Sequence, residues 1–163
     1  VGAMVSSICT SDLYIYAFDT MAHKIEVLGD KLTDWEESFK GIHASGSTSC
    51  GVAIRQMRKR KEYAEQIIFI TDENENSGPY FESEYNLYAE EMKVKPSLMF
   101  IKLGMFTDHL ERQCRDMRIE FDAYIFKGDY YALPSIIPFI SKGSRLEIIE
   151  EIMAYPLPVR LLA

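Results

Sequence analysis

Two loops carry oxygen side chains of the kind that a hard metal cation requires. Thr48 stands between Ser47 and Ser49 in the sequence SGSTSCG, just before an expected helix. Asp72 directly follows the apolar run IIFIT. Mg²⁺ favours an octahedral shell of oxygen donors that includes one or two carboxylates and several waters. The residue types therefore allow a divalent-cation site in which Asp72 gives a carboxylate, Thr48 a hydroxyl, and Ser47 and Ser49 further hydroxyls.

The same residues also fit a purely structural interpretation. Serine and threonine before a helix are ordinary N-caps, and an acid after a buried strand commonly forms a turn. The neighbouring acids are expected to make a solvated electronegative rim: Glu73, Glu75, Glu82 and Glu84. Cys50 at a helix N-terminus could have a lowered pKa. No histidine is clearly placed to serve it, so a catalytic thiol is a minor alternative.

A basic cluster lies towards the end of the helix that is expected from about residue 51 to 63. Cations are stabilised at a helix C-terminus, which favours a solvated helix end. The alternative is a contact with a polyanion through Arg55, Arg58 and Lys59. The net charge of −7 argues against a broad nucleic-acid surface, because phosphate binding relies on clustered lysine and arginine.

The sequence predicts alternating strands and helices, and the loops described above connect them. Apolar and β-branched runs predict strands at 13–19, 23–28, 65–71, 97–104 and 121–126. Helices are expected at 2–10, after Thr33, at about 51–63 and 84–93, after Thr107 up to 118, and in the closing segments 130–141 and 144–153. This order predicts an α/β fold whose mostly parallel sheet is sandwiched by helices, with 23–28 as one antiparallel edge strand. Ligand sites in such folds lie beyond the carboxyl ends of the strands.

Length and composition limit the broad class of protein. A chain of 163 residues predicts a single domain over 1–163, and no apolar run reaches the ~20 residues of a membrane span. Three widely spaced cysteines fit neither a disulfide framework nor a zinc ribbon, which favours a reducing, cytoplasmic location. Because the first residue is valine, we expect this domain to be part of a longer chain.

The order of the motifs resembles a von Willebrand factor A domain, most of all the A domain that follows the TROVE module in Ro-type RNA-binding proteins. The motifs that carry the resemblance are YAFD, SGSTSCGVAI, IIFITDENENSGP, YAEEMKVKPSLMFIKLGM and GDYYALPSIIPFI, which together span nearly the whole chain. In that family three loops form a metal-ion-dependent adhesion site. The resemblance implies that Thr48 matches the second-loop threonine and Asp72 the third-loop aspartate, whereas Asp19 lies outside the motif.

The sequence departs from the family at the first loop. No Asp-x-Ser-x-Ser motif occurs, and its strand and loop should precede the helix at 2–10. The resemblance therefore implies weak Mg²⁺ binding by this chain. It also implies that a protein partner, or another segment of the same protein, fills the position of the first strand.

These observations predict a binding module rather than an enzyme. In a Ro-like ribonucleoprotein, small non-coding RNA would be bound through the wider protein, and no membrane partner is expected. A metal-free structural or protein-interaction domain is the alternative. A metal-assisted hydrolase that uses Asp72 and nearby acids is less favoured, because no base or nucleophile is convincingly placed.

Overall fold

The computed structural model describes residues 1–29, 31–43, 45–141 and 153–155. Its strands are β1 (Ile15–Phe18), β2 (Ala22–Ile25), β3 (Gln66–Thr71), β4 (Ser97–Lys102) and β5 (Phe121–Ile125). Its helices are α1 (Gly2–Ile8), α2 (Leu32–Ser38), α3 (Gly51–Arg60), α4 (Phe81–Met92), α5 (His109–Met117), a 3₁₀ helix (Tyr130–Ile136) and α6 (Ile137–Ile140). The helix expected at 144–153 lies outside the described residues except for Met153.

The main sheet contains β3, β4 and β5 in that order, and both strand pairs are parallel. Helix α4 connects β3 to β4, and α5 connects β4 to β5. A parallel pair needs such a crossover, because the chain must return to the same end of the sheet. The α/β prediction and its parallel sheet are confirmed.

Strand β4 is buried on both faces from Leu98 to Lys102. Leu98 and Phe100 are 2% and 0% exposed and pack in the larger core with residues of α3, α4 and α5. Met99 and Ile101 are 1% and 0% exposed and pack on the opposite face with residues of α1 and α6. Alternate side chains thus enter two cores, and helices cover both faces of the sheet.

The hairpin at the start of the chain forms as predicted, with β1 and β2 antiparallel and Ile15 opposite Ile25. The expectation that it would join the main sheet at one edge is wrong, because β1 and β2 form a separate two-stranded sheet. The facing edges of β1 and β3 line a cavity of about 1110 Å³. We call this space, bounded along its length by residues 15–18 and 66–71, the inter-sheet cavity.

Strands β1 and β3 run in the same direction on either side of this cavity. At the amino-terminal end of β1, the Tyr16 hydroxyl donates to Glu62, four residues before β3, at 2.5 Å. At the carboxyl ends, the Ser49 amide donates to the Asp19 carbonyl at 2.8 Å, and the Asn76 amide donates to the Thr48 carbonyl at 3.0 Å. One short loop therefore links the ends of both strands.

Several expected helix signals act differently in the structure. Thr33 lies inside α2, whose N-cap is Lys31, so the expectation that Thr33 caps this helix is wrong. The N-cap of α5 is Asp108, although the Thr107 hydroxyl accepts a hydrogen bond from the His109 amide at 3.4 Å. Pro134, expected near a helix start, lies within the 3₁₀ helix, and Pro138, expected at a kink, lies in the first turn of α6.

Candidate functional site

Thr48 and Asp72 both line the inter-sheet cavity, although they come from different loops. Each is half-buried. Asp72 lies immediately after β3, and Thr48 belongs to the loop that enters α3. The structure therefore brings the hydroxyl and the carboxylate to the wall of one cavity, at the carboxyl edge of the main sheet.

The Asp72 carboxylate is positioned by its own loop. The Asn74 amide donates to Oδ1 at 3.1 Å, and the Asn74 side-chain Nδ2 donates to Oδ2 at 2.9 Å. The Asp72 carbonyl also accepts from the Thr107 amide at 2.9 Å. An ionised carboxylate has about four acceptor positions, so both oxygens retain capacity for a cation or a donor.

Thr48 is fixed through its backbone by Asn76 and Ser77. Its amide donates to Asn76 Oδ1 at 2.8 Å, and its carbonyl accepts from the amides of Asn76 and Ser77 at 3.0 and 3.1 Å. None of these contacts uses the hydroxyl. Asn76 thus joins the two loops that carry the predicted ligands.

The additional hydroxyls are placed differently. Ser49 is fully buried, and its hydroxyl donates to the Pro79 carbonyl at 2.5 Å. Neither Ser47 nor Ser49 lines the inter-sheet cavity. Among the residues that the structure describes, no group of three or more His, Cys, Asp or Glu side chains is arranged to hold a metal ion. Of the four predicted oxygen donors, only Thr48 and Asp72 line this cavity, and their role as cation ligands stays a prediction.

The expected solvated rim of acids is wrong for Glu73 and Glu84, which are 0% and 2% exposed. Glu73 Oε2 accepts from the amides of Leu110 and Glu111 at 3.1 and 3.3 Å, at the start of α5. Its Oε1 lies 3.3 Å from Lys102 Nζ. Burial raises the pKa of Glu73 despite these partners.

Glu75 is half-buried and caps two helices with one oxygen. Its Oε1 accepts from the Cys50 amide and from the Phe81 amide, both at 2.9 Å. These amides lie at the starts of α3 and α4, where negative charge is favourable. Burial raises the pKa of Glu75. Helix capping is therefore observed in this region, but the capping groups are glutamates from a distant loop.

The basic cluster also differs from expectation. Glu84 is 2% exposed and is paired with Arg55 at 2.7 Å and with Arg58 at 3.0 Å. Arg58 also contacts Glu91 at 2.5 Å. The prediction of a solvated helix end is wrong for Arg58, whose side chain is 18% exposed and pairs with a buried acid. Arg55 pairs with the same acid, but its side chain remains 40% exposed. Lys59 is exposed, and a polyanion contact by these three residues stays a prediction.

Cys50 does not have the environment of a nucleophile. It is fully buried, and burial raises the pKa of its thiol to about 12. The thiolate is the reactive form of cysteine. Its position at a helix N-terminus therefore does not activate it.

Asp19 has a different role from Asp72. Its Oδ1 accepts from the Met21 amide at 2.8 Å, and its Oδ2 accepts from the Ser45 amide at 3.1 Å. Hydrogen bonds from these two amides lower its pKa. Asp19 thus joins the hairpin turn to the loop that carries Thr48.

Comparison with known proteins identifies no relative for this chain. No protein-family model matches it, no curated protein matches it, and no solved structure matches it. In the part of the chain that the structure describes, no helix is long and apolar enough to cross a membrane.

Proposed function

We propose that this chain is a binding module of the von Willebrand A type that contributes part of a divalent-cation site to a recognition surface. The observation that carries the proposal is that Thr48 and Asp72, which are 24 positions apart in separate loops, line one cavity at the carboxyl edge of the sheet. Oxygen donors of these types, a carboxylate with further oxygens and retained waters, are the ligands that Mg²⁺ prefers.

The present donors would bind Mg²⁺ poorly by themselves. One hydroxyl and one carboxylate leave most of an octahedral shell to water, so little is gained over the hydrated ion. A further segment with a carboxylate and hydroxyls would raise the number of protein ligands. The motif order favours an Asp-x-Ser-x-Ser loop as that segment, ahead of Val1.

The wider setting that fits the motifs is a cytoplasmic Ro-type ribonucleoprotein. There the domain would contact a protein partner, while small non-coding RNA would be bound through the wider protein. Catalysis is not part of the proposal, since Cys50 is a buried, unactivated thiol and Glu73 and Glu75 hold helix termini.

Titration calorimetry with Mg²⁺ tests this function on two proteins. One is the 163-residue chain, and the other carries an apolar strand and an Asp-x-Ser-x-Ser loop fused ahead of Val1. We expect weak binding by the first and much tighter binding by the second. Asp72→Asn in the extended protein should weaken binding about tenfold or more, because it removes the charge nearest the ion while retaining the shape of the side chain.

Asp19→Asn is the matched control in the extended protein. Its carboxylate is occupied by the amides of Met21 and Ser45, so its replacement should change Mg²⁺ affinity much less. Tight binding by the shorter chain, or binding by the extended protein that is independent of Asp72, would contradict the proposed site. Absence of binding by both proteins would favour a metal-free interaction domain.

A further inference from the structure

The inter-sheet cavity is bounded by two strand edges whose backbone polar groups face it. In the main sheet the carbonyls of Glu65 and Thr71 accept from the amides of Ser97 and Leu103, so these carbonyls point towards β4. Backbone groups of successive strand residues alternate in direction. The amide and carbonyl groups of Ile68 therefore point away from β4, as do those of Gln66 and Ile70.

The edge of β1 can be assigned in the same way. The Asp19 amide donates to the Met21 carbonyl at 2.9 Å across the hairpin turn, which directs the odd-numbered residues of β1 towards β2. The amide and carbonyl groups of Tyr16 and Phe18 consequently point into the cavity. Among the residues that the structure describes, no strand pairs with either edge. Unpaired edges of this kind are templates for another strand.

The size of the cavity fits one strand. A strand fills a slab about 4.8 Å wide between its neighbours, about 10 Å deep between packed layers and about 3.3 Å long per residue. Six residues, the length of β3, would fill roughly 950 Å³ on these dimensions. The cavity measures about 1110 Å³.

The walls above and below the cavity are apolar. Ala53, Ile54 and Met57 of α3 line it on one face, and Val5 and Ile140 line it on the other. A strand with helices on both faces is apolar along its whole length. The walls therefore select an occupant with β-branched or other apolar side chains on both of its faces.

We propose that the inter-sheet cavity binds an extended apolar strand of a partner polypeptide, which lies parallel to both β1 and β3 and joins the two sheets into one. The amides of Ile68 and Ile70 then acquire acceptors on one side of the added strand, and those of Tyr16 and Phe18 on the other. This proposal extends the function above but does not depend on a metal ion.

The test uses the 163-residue chain and a labelled peptide of about six alternating valines and isoleucines, flanked by lysines for solubility. Binding is measured by fluorescence anisotropy in buffer with a metal chelator. The single tryptophan, Trp35, lines the cavity and is a second reporter. We expect saturable binding with one peptide per chain, accompanied by a change in Trp35 emission.

Two N-methylated peptides test whether both edges are used. Methyl groups on the odd-numbered amides block one edge of the peptide, and methyl groups on the even-numbered amides block the other, because alternate amides point to opposite sides. We expect each peptide to lose binding about tenfold or more, since each would leave one row of backbone groups unpaired. Full binding by either methylated peptide would overturn the proposal of a strand between two edges.

A matched pair of protein variants tests the location. Ile70 lines the cavity and is 42% exposed, whereas Ile125 in β5 does not line it and is 44% exposed. Ile70→Lys should weaken peptide binding about tenfold or more, because the added strand would cover an unpaired charge. Ile125→Lys should leave the affinity unchanged, and thermal melts verify that both variants fold.

Three results would overturn the inference: no binding of the unmodified peptide, equal binding by Ile70→Lys and Ile125→Lys, or concentration-dependent dimerisation that excludes the peptide. The last result would mean that a second copy of the chain covers the edges. If the peptide does not bind the 163-residue chain, the Mg²⁺ affinity expected for the extended protein is unchanged. The two proposals are therefore tested separately.

Discussion

The acids that follow β3 separate into two groups according to what they contact. Glu73 and Glu75 accept backbone amides at the starts of three helices, α5, α3 and α4. The Asp72 carboxylate instead accepts hydrogen bonds from Asn74, and Asp72 lines the inter-sheet cavity. Asp72 is therefore the acid of this loop that is best placed to meet a ligand.

These glutamate caps could not be predicted from the local sequence. Glu75 and the Cys50 amide are 25 positions apart, and Glu73 and the Leu110 amide are 37 apart. Known capping patterns place the acceptor within the first turn or just before it. By contrast, the α/β pattern predicted that Asp72, which ends a strand, and Thr48, in a loop that enters a helix, would lie at the same edge of the fold.

The Arg58 side chain should contribute to stability at the residue scale. Arg58→Gln would leave Glu84, which is 2% exposed, with Arg55 as its remaining cationic partner. Loss of a partner at a buried acceptor costs about 1–3 kcal/mol. Lys59→Gln, at the exposed neighbouring position, should change the free energy of unfolding by less than about 0.5 kcal/mol. Urea unfolding measures the free energy of unfolding of both variants. Equal losses of stability in the two variants would contradict a stabilising role for the Arg58–Glu84 ion pair.

The raised pKa of Glu75 predicts a pH dependence of stability. Between its ordinary value of 4.5 and its raised folded value, the unfolded chain has lost a proton that the folded chain still holds. The folded state then binds more protons, so this group makes the free energy of unfolding fall as pH rises through that window. Below pH 4.5 its favourable contribution is fully present.

Glu75→Gln should remove this contribution while retaining a carbonyl acceptor for the Cys50 and Phe81 amides. The stability of the variant relative to the parent protein should therefore increase as pH rises from about 4.5 to 7. Glu82→Gln is the control, because Glu82 is exposed. It shows how the loss of a surface carboxylate alone changes the free energy of unfolding. Denaturant unfolding across this range is the measurement, and a relative stability that falls with pH would contradict the assignment.

At the scale of elements, continuous apolar runs were the most informative signals. They predicted β3 and β4 as strands of a parallel sheet, which is confirmed. The expectation that the β3 run would be buried on both faces holds only in part, because Ile70 is 42% exposed. Single capping residues were less informative: Thr33 lies within α2, and the Ser49 hydroxyl bonds to Pro79. The helix ends are held by contacts between residues that are far apart in the sequence. Such contacts cannot be predicted from a short stretch of residues.

The separation of the hairpin from the main sheet could not be predicted from periodicity. The sequence predicts which segments are strands, but pairing depends on which edges meet in space. Here the two sheets are connected by contacts around the cavity. Phe18 and Phe69 lie edge to face with their ring centroids 6.1 Å apart, on the side covered by α3.

At the scale of the whole molecule, the cavity divides what would otherwise be one sheet. The apolar walls of the cavity fit an added strand. The two predicted cation ligands, Thr48 and Asp72, line the cavity near the carboxyl end of β3. Strand addition and cation binding would thus occur at the same edge of the fold. In the part of the chain that the structure describes, β1 and β3 present open edges to this cavity.

Residue-resolved amide hydrogen exchange of the 163-residue chain tests that claim most directly. Alternation along β3 directs the amides of Ile67 and Phe69 towards β4 and those of Ile68 and Ile70 into the cavity. We predict slow exchange at Ile67 and Phe69 and much faster exchange at Ile68 and Ile70, since unpaired edge amides are not protected. Equal protection at all four amides would show that the edge of β3 is already paired and would contradict the account.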